Sequence, residues 1–289
     1  MILNLAYPEK SDIPFKISKF PDGQQTIDLT EVRTAQLLDK TVQITSRLNS
    51  FQDIELIICA NQLVRILGAT SVSLYVPYFL GARSDRQFHL GGINYLKQVI
   101  CPIINNQNFS SVTCVDPHSD VLEACLNNFY KKNNFTLVDD ALSYLIKDNE
   151  EYKVALVSPD AGALKKVYDV AKKFNITNVT TASKVRNPLN GEIVRTELPK
   201  MNFDSIEHII IVDDICDGGR TFIELAKEIR KQTVLPIYLI VTHGIFSAGF
   251  EQLNEYFTGI FCTNSIRDIG ETECPTQINK LGVKQYNVF

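Results

Sequence analysis

Three segments of the chain share one order of residues: an apolar run, a loop that carries a carboxylate, and a helical pattern. They are residues 115–118 (VDPH), 157–160 (VSPD) and 212–214 (VDD) with the stretches on either side. Continuously apolar strands that alternate with helices are typical of parallel sheets covered by helices. The sequence therefore predicts an α/β fold in which the functional loops follow the strands.

Apolar periodicity predicts five strands and four helices. The strands are expected at 71–78, 111–116, 152–158, 208–212 and 236–241. The helices are expected at 94–104, near 121–130, at 162–174 and at 220–230. The polar segment 139–151 separates two similar α/β halves, so we expect two domains, 1–143 and 144–289, each with a mainly parallel sheet flanked by helices.

Composition excludes several classes of protein. The 289 residues are 45% hydrophobic and 21% charged, as in a globular protein. A formal net charge of −4 gives no basic field for nucleic acid. No apolar run approaches the roughly 20 residues of a membrane span, and residues 1–10 lack a signal-peptide pattern. The seven cysteines form no CxxC motif, so we expect reduced, buried thiols in a cytoplasmic protein.

The most informative segment is 209–221, IIIVDDICDGGRT. An apolar strand runs directly into Asp213 and Asp214, whose carboxylates can accept hydrogen bonds from sugar hydroxyls. Gly218 and Gly219 let a ligand approach the backbone. The helix predicted after them offers N–H groups and a positive dipole end to a phosphate. A tight turn with an acidic N-cap is the alternative, although packing alone does not explain two adjacent acids there.

This loop resembles the phosphoribosyl-binding loop of type I phosphoribosyltransferases. Other segments resemble the ribose-phosphate pyrophosphokinases, also called phosphoribosyl pyrophosphate synthetases. They are 20–24 (FPDGQ), 76–86 (VPYFLGARSDR), 115–118 (VDPH), 157–167 (VSPDAGALKKV), 183–186 (SKVR), 242–247 (THGIFS) and 263–266 (TNSI). Each match is weak by itself, whereas the set in family order is specific. The chain is thus identified as a divergent member of the ribose-phosphate pyrophosphokinases.

The resemblance implies two phosphoribosyltransferase-like domains, the first binding ATP and the second binding the ribose phosphate. The reaction it implies is transfer of the β,γ-pyrophosphoryl group of ATP to the anomeric hydroxyl of ribose 5-phosphate, giving AMP and phosphoribosyl pyrophosphate. Mg²⁺ would bridge the polyphosphate oxygens. A homo-oligomer, dimer or hexamer, is also implied, because segment 20–24 reaches a neighbouring subunit's site in the family.

The resemblance also implies roles for individual residues. The ATP-binding residues would be Phe20, Asp22, Gln24, Arg83, Asp85 and Arg86. Arginine suits the polyphosphate because its guanidinium donates a fork of hydrogen bonds. His118 would contact phosphate or ligate the metal, and Asp160 would bind the metal or the sugar.

Catalysis is assigned to Lys184 and Arg186, together with His118. Lys184 and Arg186 are two residues apart, so on a strand they share one side. Two cations aimed at one point suit a transferring pyrophosphoryl group. The ribose-phosphate site would consist of Asp213, Asp214, Asp217, Gly218, Gly219, Arg220 and Thr221.

Four departures from the family pattern affect these assignments. The loop that usually reads D-T-G/A-G-T has lost a threonine and gained Arg220. FPDGE has become FPDGQ, so an adenine-contacting carboxylate is replaced by Gln24, and ARQDR has become ARSDR. The segment after Arg86 lacks the R-x-P-I-S/T-A-K pattern, which puts allosteric control in doubt.

Arg220 leaves the acceptor open. A guanidinium beside the 5-phosphate pocket would suit ADP-ribose, which carries a second phosphate; the product would be ADP-ribose pyrophosphate and the setting NAD metabolism rather than nucleotide biosynthesis. Arg220 pointing to solvent or pairing with an acid is the alternative. A phosphoribosyltransferase and a non-catalytic regulatory homologue are the other classes. The cations at 184 and 186 argue against both.

Overall fold

A computed structural model describes residues 1–29, 37–146, 153–186, 193–270 and 282–289. The chain divides into two compact units, Met1–Asn133 with Val288–Phe289, and Asn134–Asn287. The sequence-based boundary lies between residues 143 and 144. The structure places the division earlier, because the helix Phe135–Leu145 packs into the core of the second unit.

The first unit contains a parallel sheet of five strands. In spatial order they are β1 (Ile2–Asn4), β4 (Thr41–Thr45), β5 (Ser71–Tyr75), β6 (Val112–Val115) and β7 (Phe129–Lys132). Its helices are α1 (Phe51–Ile66), a π-helical turn (Leu96–Ile100) that continues into α2 (Cys101–Asn105), and α3 (Val121–Cys125). A separate antiparallel hairpin consists of β2 (Lys16–Lys19) and β3 (Gln25–Asp28).

This first sheet is apolar on one face and largely polar on the other. Val42 and Ile44 are buried in a core with residues of α1, α2 and α3, whereas Gln43 and Ser73 alternate with core residues and are only partly buried. The strand order advances in one direction along the sheet. Right-handed crossovers that advance in one direction place their helices on the same face, which accounts for the single core.

The second unit contains a parallel sheet of six strands. In spatial order they are β15 (Gly282–Tyr286), β14 (Gly259–Thr263), β13 (Ile237–Gly244), β12 (His208–Cys216), β8 (Val154–Ser158) and β9 (Val179–Thr181). Its helices are α4 (Phe135–Leu145), α5 (Leu164–Phe174), α6 (Arg220–Arg230) and α7 (Glu251–Tyr256). An antiparallel hairpin of β10 (Ser183–Arg186) and β11 (Ile193–Glu197) lies outside the sheet.

Both faces of the second sheet are buried. Along β12, Ile209 and Ile211 pack in a core with α6 and α7, while Ile210 and Val212 pack in a second core with α4 and α5. The strand order reverses at β8, because β9 lies on one side of it and β12 on the other. The reversal places crossover helices on both faces. The predicted α/β fold with mainly parallel sheets flanked by helices is confirmed.

Several predicted elements differ from the structure in their bounds: the strand expected at 71–78 ends at Tyr75, and the strand expected at 236–241 runs from Ile237 to Gly244. The helix expected near residues 121–130 ends at Cys125, and Phe129–Lys132 forms the edge strand β7. Its last three residues are exposed, so it lacks the apolar pattern of a buried strand. The strand expected to end at Val212 continues to Cys216, since its backbone still pairs with β13 there.

The described cysteines are free thiols. Cys101, Cys114, Cys216 and Cys262 are buried, as predicted, whereas Cys59 and Cys125 are half-buried. Cys274 lies outside the described residues. Within the part of the chain that the structure describes, no helix is both long and apolar enough to span a membrane.

Candidate active site

The strand order of the second sheet reverses between β8 and β12, and a crevice forms at the carboxyl ends of strands that flank such a switch point. β12 pairs with β8 only up to Ile211, but it pairs with β13 as far as Cys216. The last part of β12 therefore borders the gap between β12 and β8. In open α/β sheets, ligands bind at such a switch point. Asp160, Asp213 and Asp214 lie at the ends of these two strands.

Asp160 forms an ion pair with the predicted catalytic lysine. Its carboxylate accepts a hydrogen bond of 2.6 Å from Lys184 Nζ and further bonds from the N–H groups of Gly162 and Ala163. Burial by itself would raise the pKa of Asp160, but the Lys184 ammonium and the two N–H donors outweigh burial and lower the pKa below its usual value. The structure thus joins a predicted metal or sugar ligand to a predicted catalytic cation.

Lys184 and Arg186 both lie on β10 of the hairpin. The pairing of β10 with β11 shifts between Val185 and Arg186. Such an irregularity interrupts the strict alternation of side chains. The side chain of Arg186 lies outside the described residues, so the common orientation of Lys184 and Arg186 stays a prediction.

Asp213 and Asp214 are adjacent acids, and Asp213 is half-buried. Asp214 is buried, and its carboxylate lies 3.7 Å from Lys166 Nζ of α5. Asp213 accepts a hydrogen bond from the N–H of Asp214. Burial and the neighbouring carboxylate raise the pKa of Asp213 well above its usual value, and the charge of Lys166 opposes the rise. The pair therefore favours a ligand that donates hydrogen bonds.

The loop after β12 is tied to the loop after β13. Asp217 accepts a hydrogen bond of 2.5 Å from Ser247 Oγ. Cys216 O accepts hydrogen bonds from the N–H groups of Ile245 and Phe246. Burial, together with the carboxylates of Asp213 and Asp217, raises the pKa of the Cys216 thiol, so this cysteine is a packing residue rather than a nucleophile.

Glycine is required at two positions of this edge. Gly219 has φ of 80°, and a Cβ there would lie 2.9 Å from Leu253 Cδ2. At Gly244 a Cβ would overlap the Phe246 ring. The Gly219 conformation turns the chain into α6, which begins at Arg220. The positive end of the α6 dipole and its first N–H groups then face the loop, as an anion site needs.

Arg220 and Thr221 occupy the first turn of α6. Arg220 is exposed and Thr221 is half-buried. Gly218 has ordinary space for a Cβ, since Ser247 Oγ would lie 3.8 Å away. The loop therefore presents a guanidinium, a hydroxyl and an open glycine backbone around the start of one helix.

In the first unit, three of the residues predicted to bind ATP lie in the hairpin turn between β2 and β3. Asp22 Oδ1 accepts the N–H of Gln24, and Gln24 O accepts the N–H of Phe20. The Phe20 side chain is 53% exposed although it is a large apolar group. The turn thus leaves an aromatic side chain about half exposed at the tip of the hairpin.

The other three residues predicted to bind ATP lie in the loop that follows β5. Arg83 and Arg86 are exposed, whereas Asp85 is buried and lies 3.4 Å from the Arg86 guanidinium. Asn94 Nδ2 donates a hydrogen bond of 2.6 Å to the backbone oxygen of Asp85. The geometry therefore presents the arginines outward and gives Asp85 the role of shaping the loop that carries them.

His118 is exposed after β6. Asp116, two residues earlier, is buried with a positive φ of 45°. A non-glycine residue rarely adopts that conformation, and strain of this kind concentrates at functional loops. Sequence reasoning included Asp116 in a motif without giving it a role. Its signal was its place at the carboxyl end of a strand.

Metal ligands are sparse among the described residues, in which no cluster of three or more His, Cys, Asp or Glu side chains could hold a metal. Asp160 belongs to the second unit and His118 to the first. Mg²⁺ commonly takes one or two carboxylates and completes its shell with substrate phosphates and water. Asp160 could supply the one carboxylate that this kind of Mg²⁺ binding needs.

Sequence reasoning missed two side chains of the second unit that contact predicted site residues. They are Lys166, which pairs with Asp214, and Ser247, which bonds to Asp217. Helical periodicity predicts that Lys166 lies on the surface, because Lys166 is outside the apolar stripe of α5, to which its neighbour Val167 belongs. Both residues lie in segments that resemble the family, 157–167 and 242–247, but the resemblance gave neither of them a role.

The comparisons with known proteins agree with this geometry. The family model described as the phosphoribosyl transferase domain matches residues 127–271, half of the chain. The chain belongs to the phosphoribosyl transferase domain family. The matched part contains β8 and β12, the crevice between them and the loop that leads into α6.

Curated relatives and a solved structure are similar along most of the chain. The chain is 26% identical to a ribose-phosphate pyrophosphokinase of Coxiella burnetii, covering 81% of this chain and 71% of the relative. It is 26% identical to that of Methanopyrus kandleri, covering 88% and 84%. The phosphoribosylpyrophosphate synthetase structure from Mycobacterium smegmatis matches with a TM-score of 0.77 at 15% identity, covering 97% and 88%. The resemblance stated from the sequence is confirmed.

Proposed function

We propose that this protein transfers the pyrophosphoryl group of ATP to the anomeric hydroxyl of a ribose 5-phosphate moiety. The products are AMP and phosphoribosyl pyrophosphate when the acceptor is ribose 5-phosphate. The observation that carries the proposal is the arrangement at one sheet edge: a pair of acids, a loop that opens a helix, and an Asp160–Lys184 ion pair. The names of the relatives support the same reaction.

The acceptor binds at the end of β12 in this proposal. Asp213 and Asp214 accept hydrogen bonds from the two ring hydroxyls of the ribose. The 5-phosphate lies on the loop from Asp217 to Thr221, where the N-terminal N–H groups of α6 and the Thr221 hydroxyl donate to it. These contacts orient the anomeric hydroxyl, and such positioning is a large part of catalysis when no covalent intermediate forms.

Lys184 and Arg186 stabilise the charge that spreads over the pyrophosphoryl oxygens during transfer. The acceptor oxygen bonds to the β-phosphorus of ATP while the bond to the α,β-bridging oxygen breaks; AMP leaves with that oxygen, and the hydroxyl proton passes to solvent. Asp160, which accepts a hydrogen bond from Lys184, is the residue that would hold Mg²⁺ beside this cation. Mg²⁺ bound there would screen the polyphosphate charge. Arg83, Arg86 and His118 hold the ATP phosphates.

The hairpin of β2 and β3 completes the ATP site in an oligomer. Every residue of β2 is exposed, and Phe20 at the turn is exposed with it. An aromatic ring held in solvent suits stacking on adenine. We include a homo-oligomer, dimer or hexamer, in the proposal, with Phe20, Asp22 and Gln24 at the adenine.

ADP-ribose is the second candidate acceptor, and exposed Arg220 favours it. A phosphate monoester is satisfied by backbone N–H groups and a hydroxyl. A guanidinium at the first position of α6 adds a fork of donors for a second phosphate. Transfer to ADP-ribose gives ADP-ribose pyrophosphate and would place the enzyme in NAD metabolism.

The test is AMP formation from ATP and Mg²⁺ with ribose 5-phosphate in one reaction and ADP-ribose in another, measured by chromatography. AMP with either acceptor supports pyrophosphoryl transfer, and the preferred acceptor decides the role of Arg220. Arg220→Ala should lower turnover with ADP-ribose and spare ribose 5-phosphate. AMP with neither acceptor would reject the proposal and favour a regulatory homologue. Consumption of phosphoribosyl pyrophosphate without ATP would favour a phosphoribosyltransferase.

A further inference from the structure

Two adjacent carboxylates at the end of β12 need a compensating charge. Asp214 is 6% exposed at its side chain, and the cation beside it is Lys166 Nζ at 3.7 Å, itself 17% exposed. Removing charged groups from water is costly unless they are paired. Lys166 therefore offsets part of the cost of keeping both acids in this place.

The fold directs Lys166 toward Asp214. Ile210 and Val212 pack on the face of the sheet that α5 covers. Side chains on a strand repeat every second residue, so Asp214 continues this series toward α5. Asp213 starts from the other face of the strand, but its side chain hydrogen-bonds to that of Asp214, so the two carboxyl groups lie together. Lys166 precedes the buried Val167 in the first turn of that helix. The ion pair is thus built into the packing of α5 on β12.

Lys166 lies at a position where a cation destabilises the helix. The N-terminal end of a helix has a positive dipole end, which disfavours cations. The first turn of α5 contains no acidic residue, and Asp160, which bonds to the N–H groups of Gly162 and Ala163 just before the helix, is already paired with Lys184. Helix stability alone does not account for a half-buried lysine there, whereas the contact with Asp214 does.

We propose that Lys166 is a positioning residue for the acceptor: it holds Asp214 as a fixed carboxylate so that Asp213 and Asp214 together receive the two ribose hydroxyls. The inference rests on the proposed function of this site. Lys166 acts through Asp214 and does not touch the reacting atoms. It adds to the site a side chain that selects for a vicinal diol.

The charged and titratable groups around the acid pair come from three elements. Lys166 approaches from α5, Cys216 and Asp217 lie along and just beyond β12, and His243 lies on β13 with its Nδ1 bonded to Ser265 Oγ. The charge of Lys166 opposes the rise in the pKa of Asp213 that burial and Asp214 cause. Without it, protonation of the pair would begin at a higher pH.

The test compares Lys166→Met, Lys166→Arg and Lys165→Met. Lys165 is the neighbouring lysine on the exposed side of α5, so its variant is a matched control. Calorimetry measures binding of ribose 5-phosphate and, separately, of ATP with Mg²⁺. We expect Lys166→Met to weaken acceptor binding by about tenfold or more and to leave ATP binding unchanged. Lys166→Arg should restore most of the affinity, and Lys165→Met should match the wild type.

Two further readouts separate positioning from a loss of folding. In an Asp214→Asn background, Lys166→Met should have no further effect on acceptor affinity, since the two residues act as a pair. The acid limit of acceptor binding should lie at higher pH in Lys166→Met than in the wild type. Equal loss of acceptor and ATP binding, or additive effects of the two substitutions, would overturn the inference.

The outcomes also distinguish this inference from the proposed function. If the wild type binds the acceptor and Lys166→Met binds it equally well, the inference is overturned and the proposed function stands. A wild-type protein that binds neither ribose 5-phosphate nor ADP-ribose overturns the proposed function and the inference with it.

Discussion

The sheets of the two units are both parallel, but they differ in the order of their strands. In the first sheet the order runs from β1 through β4, β5 and β6 to β7, without a reversal. In the second sheet the order reverses at β8, and a crevice opens beside β12. The candidate acceptor residues border that crevice. The residues proposed for ATP lie in a hairpin and in loops that follow β5 and β6.

The same difference in order explains the difference in polarity. The first sheet has one core and a second face that carries polar residues such as Gln43 and Ser73. The second sheet has a core on each face, so β12 is apolar at consecutive positions until Asp213. An acid pair directly after such an apolar run is conspicuous in sequence because of this topology. The polar residues of the first sheet are not.

The largest effect is expected from the cation at the crevice. Lys184→Ala should reduce AMP formation by about 10²- to 10³-fold, since in the proposed reaction Lys184 donates to the developing charge. Arg195→Ala is the control, because Arg195 is exposed on the same hairpin and pairs with Glu197; it should keep wild-type turnover. Equal turnover of the two variants would contradict the role of the second unit in transfer.

The next largest effect is expected on stability, and it tests whether both faces of the second sheet are buried. Ile210→Ala should lower the free energy of unfolding by about 2–5 kcal/mol, because Ile210 is fully buried and the truncation leaves a cavity. Ser73→Ala on the polar face of the first sheet should change it by less than about 0.5 kcal/mol. Urea denaturation of both variants measures this contrast. If Ser73→Ala lowered the free energy of unfolding as much as Ile210→Ala, the contrast between the two sheets would be wrong.

A smaller effect concerns the glycine before α6. Gly219→Ala should cost about 1–2 kcal/mol, since alanine is strained at positive φ and its Cβ would meet Leu253. Gly218→Ala should leave the melting temperature nearly unchanged, because a Cβ fits there in ordinary contact. Thermal unfolding compares the two. Equal destabilisation would show that the turn is not built around Gly219.

The smallest effect is the contribution of Asp160 to acid stability. Its pKa is lowered in the folded state, so its stabilisation is present above the unfolded pKa of about 3.9 and is lost as the pH falls through the folded pKa. The stability difference between Asp160→Asn and the wild type should therefore shrink on acidification. Unfolding free energies at neutral pH and at pH about 3 measure it. Asp169→Asn, an exposed carboxylate on α5, is the control, and a difference that grows on acidification would contradict the ion pair.

Much of the second unit could be predicted from its sequence. β8, α5, β12 and α6 follow from continuous apolar runs and strong helical periodicity, and β13 from the run after residue 236. The continuation of β12 through Asp213 to Cys216 could not be predicted. Carboxylates usually mark the end of a strand, and here the backbone ladder with β13 persists through them. The contact of Lys166 with Asp214 also depends on tertiary packing rather than on spacing.

Less of the first unit could be predicted. β1, β2, β3, β4 and β7 are short or exposed strands, and alternation with polar residues weakens the apolar signal on which strand prediction depends. The resemblance indicated Arg83, Asp85 and Arg86 as one set. Only the structure shows that Asp85 turns inward while the two arginines stay exposed.

The most direct test of the central claim is hydrogen–deuterium exchange of the whole protein with and without ribose 5-phosphate. The account predicts slower exchange in peptides that cover the end of β12 and the start of α6, because the acceptor bonds to the backbone there. It predicts little change around the hairpin of β2 and β3. Protection confined to the first unit, with none between Asp213 and Thr221, would contradict the acceptor site proposed at the crevice.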